Sequence, residues 1–494
     1  MSHPETGRSR WLALAVLCAG MMMIILDGSI VTVALPAIQD DLRLSLAGLT
    51  WTVNAYLITF GGLLLLAGRL GDTLGRKRVL IAGLSLFTLA SVVCGASTSA
   101  GMLIIARFVQ GVGGAAASAV SLGMVVALFP QPRERGTAIG AVSFVGAAGA
   151  SIGQVLGGVL TQALSWHWIF LINVPIGIVV IAMAVRILEP NRGTGPARRT
   201  DVPGALLVTA GLMLGVRTIV ETGRHGWHSA ATTVPAVISV LLLAAFVVRQ
   251  ATAADPLLPP RLVRPRNVWG ANLIQILAIS AMFGFQVLIA LYLEGVLGYG
   301  AARTGLAMLP AAGMIGVVSL GCSARLAARF GERAVLLAGL ALLVVSIGLL
   351  TRLPVHADYA THVLPTMLLV GGGGLVLSAN TTLGMSGASA ADAGVASGLF
   401  NTTQQIGGAL GVAVLTTLAA ARTTALRSDG RGLAAAVTGG FHLAFGIAAG
   451  LLAVAFVLAV AILRQPRTSV LAEQAAVPAE REPAMCPAAS STGA

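Results

Sequence analysis

Asp27 stands in the middle of the run MMMIILDGSIV, among side chains that do not hydrogen-bond to water. A charge at the centre of a bilayer costs about 2.5–3.5 kcal/mol on insertion scales. A carboxylate relieves that cost by taking up a proton. A proton that arrives from one side and leaves to the other is what energy coupling requires. A fixed hydrogen bond to neighbours is the plainer alternative. Arg107, in AGMLIIARFVQGVGG, is the opposite case, because a guanidinium does not shed its charge. It must meet an acid, backbone carbonyls or water, either as a moving electrostatic partner or as a static polar plug. Gln110 and Gly111 follow about one turn on, so the same face offers polar contact. Glu294 ends the run IALYLE. It could attract a cation, carry a second proton, or be a solvated end residue.

Residues 68–78 read GRLGDTLGRKR, a charged hinge between two apolar runs. Asp72 lies among Arg69, Arg76, Lys77 and Arg78, and Gly68, Gly71 and Gly75 leave the backbone free to turn. Opposite charges beside two helix ends predict a breakable clasp; a basic cluster that only holds the loop on one side is the alternative. Gly149, Gly153 and Gly157 recur at intervals of four, with Gln154 and Gly158 beside them. That spacing puts the glycines on one helix face against which another helix can pack closely. Asn54, Gln110, Gln154, Gln286, Asn380, Asn401, Gln404 and Gln405 are polar groups at depth. They are candidates to line a substrate cavity or to join helices.

The elements that must position these groups follow from composition. Of 494 residues 56% are hydrophobic and only 10% charged, with a mean hydropathy of +0.89. A soluble domain is about 25% charged, so the solvent of this chain is lipid. The net charge of +13 is dispersed between apolar runs, which speaks for membrane topology rather than nucleic acid. No GxxxxGK[ST] is present, so nucleotide-driven work is not expected. The four cysteines and seven histidines have no ligand spacing; no metal, cofactor or enzymatic activity is expected.

Runs of about 20 apolar residues predict an all-α membrane protein of fourteen transmembrane helices. With the N-terminus inside, Lys and Arg favour the cytoplasmic loops by about three to one, which places both termini in the cytoplasm. The hinge returns in weaker form 256 positions later: Arg69, Gly75, Val79 and Gly83 align with Arg325, Gly331, Val335 and Gly339. Eight spans separate the copies, two more than a six-plus-six repeat gives. The expected organisation is a six-helix bundle over 1–190, two inserted helices with linkers over 191–266, a second six-helix bundle over 267–465, and a disordered cytoplasmic tail over 466–494.

The hinge resembles the loop signature of the major facilitator superfamily. LDGSIVTVALPAI (26–38), Arg107-Phe108-Val109-Gln110-Gly111, the glycine run ending at Gly158, WHWIFLINVPIG (166–177) and GLFNTTQQIGGALG (398–411) resemble its fourteen-helix drug/proton antiporter branch in order and spacing. Gln154 stands where that branch has proline, His167 where it has arginine, and Glu294 where glutamine is commoner. The resemblance implies proton-coupled efflux of hydrophobic or cationic small molecules across the bacterial cytoplasmic membrane by alternating access. It implies Asp27 and Arg107 for the coupling, the hinge as a conformational switch, and the glycine face as a seam that favours export; Glu294, a departure from the branch, joins the coupling candidates on its own chemistry as a carboxylate that could carry a second proton. An uptake symporter of the same fold, or a sensor without transport, are the alternatives. On this reading Asp27→Asn abolishes coupled transport and leaves expression intact.

Overall fold

A computed structural model describes residues 7–129, 131–189, 201–226, 229–253, 256–258, 260–355, 357–385 and 393–463. Among them every regular element is helical. Lipid offers the backbone no hydrogen bonds, so a chain this apolar satisfies its amides within each segment. The first half comprises α1 (Gly7–Asp41), α2 (Leu46–Leu74), α3 (Arg76–Gly95), α4 (Ala100–Leu128), α5 (Pro132–Ala163), the short α6 (Trp168–Leu171) and α7 (Asn173–Ile187). Then come α8 (Val202–His225), α9 (Ala230–Thr252) and the single turn α10 (Pro260–Val263). The second half holds α11 (Arg266–Gly295), α12 (Ala301–Val317), α13 (Ser323–Phe330), α14 (Glu332–Leu349), α15 (Leu364–Leu369), α16 (Gly372–Met385), α17 (Ala393–Ser428) and α18 (Leu433–Ile462).

Twelve helical segments among the described residues are long and apolar enough to cross a membrane. The chain is an integral, multi-pass membrane protein. Two of the fourteen expected spans fall outside that set: α5, and α12, which runs through a π-helical turn (Val318–Cys322) into α13. Local sequence fixes several helix starts. Ser45 and Ser99 cap α2 and α4 by accepting the amides of Gly48 and Met102. Asp201 caps α8 through Gly204 N–H at 3.0 Å.

The 256-residue repeat has geometric counterparts. Gly75 between α2 and α3 has φ +97°, and Gly331 between α13 and α14 has φ +82°, a region that side-chain-bearing residues rarely enter. Lys77 donates to the carbonyls of Val185, at 2.8 Å, and Leu188 at the end of α7. Its aligned residue, Arg333, donates to Val460 O at 2.5 Å at the end of α18. In each case a cation at the start of one helix meets the negative pole of another.

The helices of the first half meet those of the second along two seams, α2 against α17 and α5 against α12. Helix α8 packs on α9 and also on both α2 and α17, so it lies along the first seam. Most of the α9 surface faces outward, including Val237, Val240 and Val247, as a lipid-facing helix requires. Residues 464–494, the expected tail, lie outside the described residues.

Candidate functional site

Asp27 and Arg107 meet. The Arg107 Nη1 lies 2.6 Å from Asp27 Oδ2, with both side chains essentially inaccessible to solvent at 2% and 0% exposure. Gln110, one turn beyond Arg107, donates from Nε2 to Asp27 Oδ1 at 2.8 Å and accepts from Arg107 at 2.7 Å. Asn173, the first residue of α7, donates to the same Oδ1 at 2.8 Å. Ser91 of α3 accepts from Gln110 at 2.8 Å. Arg107 Nε donates to Thr52 O of α2 at 3.2 Å, and the guanidinium sits 4.3 Å from the centroid of the Tyr56 ring. Five helices thus supply one closed network: α1, α2, α3, α4 and α7.

This closure is how two charges survive in an apolar interior. Desolvating an ion pair is repaid only when geometry is good and the remaining donors and acceptors are satisfied. Both oxygens of Asp27 are engaged, and no water-accessible surface reaches them. In this conformation Asp27 is a sealed partner of Arg107 and not an open proton acceptor. Gln110, expected as a candidate for a substrate cavity, lies inside this network at 0% exposure.

The glycine face of α5 is turned toward the same centre. A Cβ on Gly149 would touch Ile25 at 3.4 Å, one on Gly153 would collide with Ser29 Oγ, and one on Gly157 would fall 2.6 Å from Ile30 O. All three therefore pack on α1, around Asp27. Gly158 points elsewhere, to the start of α12, where a Cβ would lie 2.5 Å from Ala301 O. Gln154 is buried with its Oε1 unpartnered among the described residues, and its carbonyl faces Gly305 of α12. Helix α5 is continuous from Pro132 to Ala163, as Gln154 in place of the motif's proline allows.

In the hinge, the side chain of Asp72 lies outside the described residues. The cations reach backbone carbonyls. Arg69 donates to Pro256 O at 3.1 Å, in the linker after α9, and Arg76 to Gly123 O at 2.8 Å, near the end of α4. A methyl group added at Gly68 would meet nothing within 4 Å, while Gly71 packs on Val120.

The remaining candidates are spread along the seams. Asn54 is fully buried with both amide atoms unpartnered among the described residues. It lies on the α2 face that meets α17, one turn from Thr50, whose hydroxyl is 2.8 Å from that of Thr416. Gln405 packs on Gly61 with Oε1 unpartnered. Gln286, Asn401 and Gln404 are partly buried on α11 and α17. Asn380 belongs to an uncharged cluster of the second half, donating to Gln275 Oε1 at 2.9 Å. Glu294 is partly buried near the end of α11, away from the Asp27 network.

Sequence reasoning missed Asn173, Ser91 and Tyr56. Neutral polar residues are ordinary in membrane helices, and of the three only Asn173, inside WHWIFLINVPIG, belongs to a segment that carries the family resemblance.

Comparisons with known proteins agree with this architecture. Residues 17–412 match the Major Facilitator Superfamily. The puromycin resistance protein pur8 of Streptomyces alboniger is 37% identical over 91% of this chain and 90% of its own length. The cephamycin export protein CmcT of Amycolatopsis lactamdurans is 40% identical over 83% of this chain and 85% of its own. The crystal structure of the human organic anion transporter MFSD10 (TETRAN) superposes with a TM-score of 0.61 over 92% of this chain and 100% of that chain, at 15% identity, and so shares the fold. The chain belongs to the Major Facilitator Superfamily, on the branch that holds its drug and antibiotic resistance exporters.

Proposed function

We propose that this protein exports hydrophobic or cationic small molecules, antibiotics among them, across the bacterial cytoplasmic membrane by alternating access driven by the proton gradient. The observation that carries the export reading is the likeness to resistance and export proteins over most of the chain; the buried Asp27–Arg107 pair enters the coupling only through a second state in which it opens. Ionisable groups inside membrane helices are costly and mark ion pathways. Similarity to puromycin and cephamycin exporters supplies the direction and the substrate class. Protons and the bilayer are its other partners; no cofactor, nucleotide or nucleic acid enters the cycle.

On this reading fourteen helices cross the membrane, the twelve apolar ones together with α5 and the α12–α13 segment. Both termini are cytoplasmic. The halves are 1–190 and 267–465, and 191–266 is the insert. The matched caps of Lys77 and Arg333 support that division. Rocking of the halves would part the α2–α17 and α5–α12 seams in turn. Asn54, Gln154 and Gln405 hold unpartnered polar atoms there, and water or substrate would satisfy those atoms once a seam opened. A proton would reach Asp27 only in a state where Arg107 has drawn away, and the glycine face of α5 gives α1 a surface along which to shift.

The test is accumulation of puromycin and ethidium in a pump-deficient bacterial host. Cells that make the protein should retain less than cells that do not, and an uncoupler should erase the difference. A difference that persists without a gradient overturns the coupling. No difference for any compound overturns export.

A further inference from the structure

Gln110 and Asn173 both hold Asp27, and they differ in what their amides leave unused. Gln110 is engaged at both ends. Its Nε2 donates to Asp27 Oδ1 and to Ser91 Oγ, each at 2.8 Å. Its Oε1 accepts from Arg107 at 2.7 Å, with the Cys94 thiol 3.7 Å from the same oxygen. Ser91 gives its own hydrogen to Phe87 O at 2.8 Å. Asn173 is engaged at one end only. Its Nδ2 donates to Asp27 Oδ1 at 2.8 Å, with Ser91 Oγ at 3.4 Å. Its Oδ1 is buried without a hydrogen-bond partner among the described residues, in a residue that is 0% exposed. A buried acceptor with no donor is costly, and its presence calls for a reason.

Every hydrogen bond now on the Asp27 side chain suits a carboxylate. Arg107, Gln110 and Asn173 donate to it, and it donates to none of them. A protonated Asp27 is a different partner, because its O–H is a donor that needs an acceptor. The empty buried acceptor beside it is Asn173 Oδ1. The two ends of a carboxamide are close in size and opposite in hydrogen-bonding sense. A half-turn about the Cβ–Cγ bond of Asn173 therefore offers Asp27 an acceptor in place of a donor, and no helix has to move. The same turn at Gln110 would point Nε2 at Arg107 and give up the bond to Ser91.

The other groups around Asp27 leave this exchange to Asn173. Arg107 of α4 holds its proton permanently and has Thr52 O and the Tyr56 ring of α2 as further contacts. Cys94 of α3 is turned to Gln110. Helix α5 meets α1 through Gly149 and Gly153, which carry no side chain.

We propose that Asn173 is a switching partner of Asp27, donating to the carboxylate while the ion pair is closed and accepting from the carboxyl O–H once a proton has been taken up. In that step an incoming proton bonds to Asp27 Oδ1, no other covalent bond changes, and Arg107 keeps its charge. Asn173 takes up no proton and acts as a positioning residue for both forms of the acid. The proposal deepens the proton-coupled reading of this site and rests on it.

Infrared difference spectroscopy between two pH values, on the purified full-length protein in lipid vesicles, reads both groups. The band of protonated Asp27 is the carboxyl C=O stretch absent from the Asp27→Asn, Arg107→Gln double variant, which leaves no unbalanced charge. It should lie at the lower frequency of an acid whose O–H is hydrogen-bonded, and Asn173→Leu should shift it upward. A residue that only filled space there would leave the band in place, so an unmoved band overturns the switching role. Asparagine labelled with a heavy carbon isotope at the side-chain carbonyl should add an amide band to the wild-type difference spectrum, moving down as the acid forms. If Asn173→Leu does not fold, absence of that labelled band overturns the proposal instead. Loss of no carboxyl band in the double variant, at any pH, defeats the proton-coupled reading and the proposal with it. An Asp27 band that is present but indifferent to Asn173→Leu defeats the proposal alone.

Discussion

Removing either member of the Asp27–Arg107 pair leaves the other charge buried with nothing to balance it. Loss of one partner from a buried pair costs about 3–5 kcal/mol, more than replacement of both. The expectation that Asp27→Asn spares the folded protein therefore changes. Asp27→Asn and Arg107→Gln should each lower the thermal unfolding midpoint in detergent, and the double variant should recover most of the loss while remaining inactive in transport. Additive losses in the double variant would mean that the two charges are not coupled. Asp27 and Arg107 were legible in the sequence because a charge in an apolar run must find a partner there. Their contact was not, since 80 positions separate them. Asn173 and Ser91 carry no such mark.

At the scale of elements, α8 and α9 are held together by a polar knot at the start of α8. Asp201, 2% exposed at its side chain, accepts from Arg249 Nε at 2.5 Å and from Gln250 at 3.0 Å, and Gln250 in turn accepts from Leu258 N–H at 2.9 Å. Burial works to raise the proton affinity of the Asp201 carboxyl. The hydrogen bonds from Arg249, Gly204 N–H and Gln250, with the arginine charge, outweigh it and hold the group below its ordinary value. A carboxyl depressed in the folded state stabilises fully above its unfolded value, about 3.9, and that contribution disappears as pH falls through the folded value. The midpoint of the wild type should hence fall as pH drops below about 4. Asp201→Asn should start lower at neutral pH and show a shallower fall, and identical profiles would remove Asp201 from the account. The cap itself was readable, Asp201 followed by Pro203 and an apolar run. Its partners on α9 were not, nor was the reach of Arg69 to Pro256, because a loop sequence does not state which helix end it will lie beside.

Over the whole molecule, the helices α1–α7 and α11–α18 differ in where their buried polar groups lie. The first set encloses the ion pair. Among α11, α16 and α17, near the start of α11, Asn272, Gln275, Asn380 and Thr403 are joined by neutral hydrogen bonds such as Thr403 to Asn272 Oδ1 at 2.8 Å. Glu294 near the end of α11 is the exception, a carboxylate partly buried in the second half. The proposed fourteen spans, an even number, would put both ends on one face. Fluorescent protein fused at Met1 and at Ala494 should be bright in both cases, and a periplasm-dependent phosphatase inserted at Gly226 should be active. A dark fusion at one end alone would require an odd number of spans.

Composition and periodicity by themselves determined that the chain is helical and lives in lipid, where it doubles back with a repeat, and which few residues are too costly to be idle. The reason is that a bilayer leaves the backbone one economical conformation and makes every buried charge conspicuous. Only the tertiary structure decided that Asp27 is sealed against Arg107, that the glycines of α5 close on α1, and that Asp40 and Glu294 line one cavity. Those meetings depend on the rotation and depth of each helix in the bundle. Close packing of small residues across helix faces sets both, and no stretch of sequence contains both sides of such a contact.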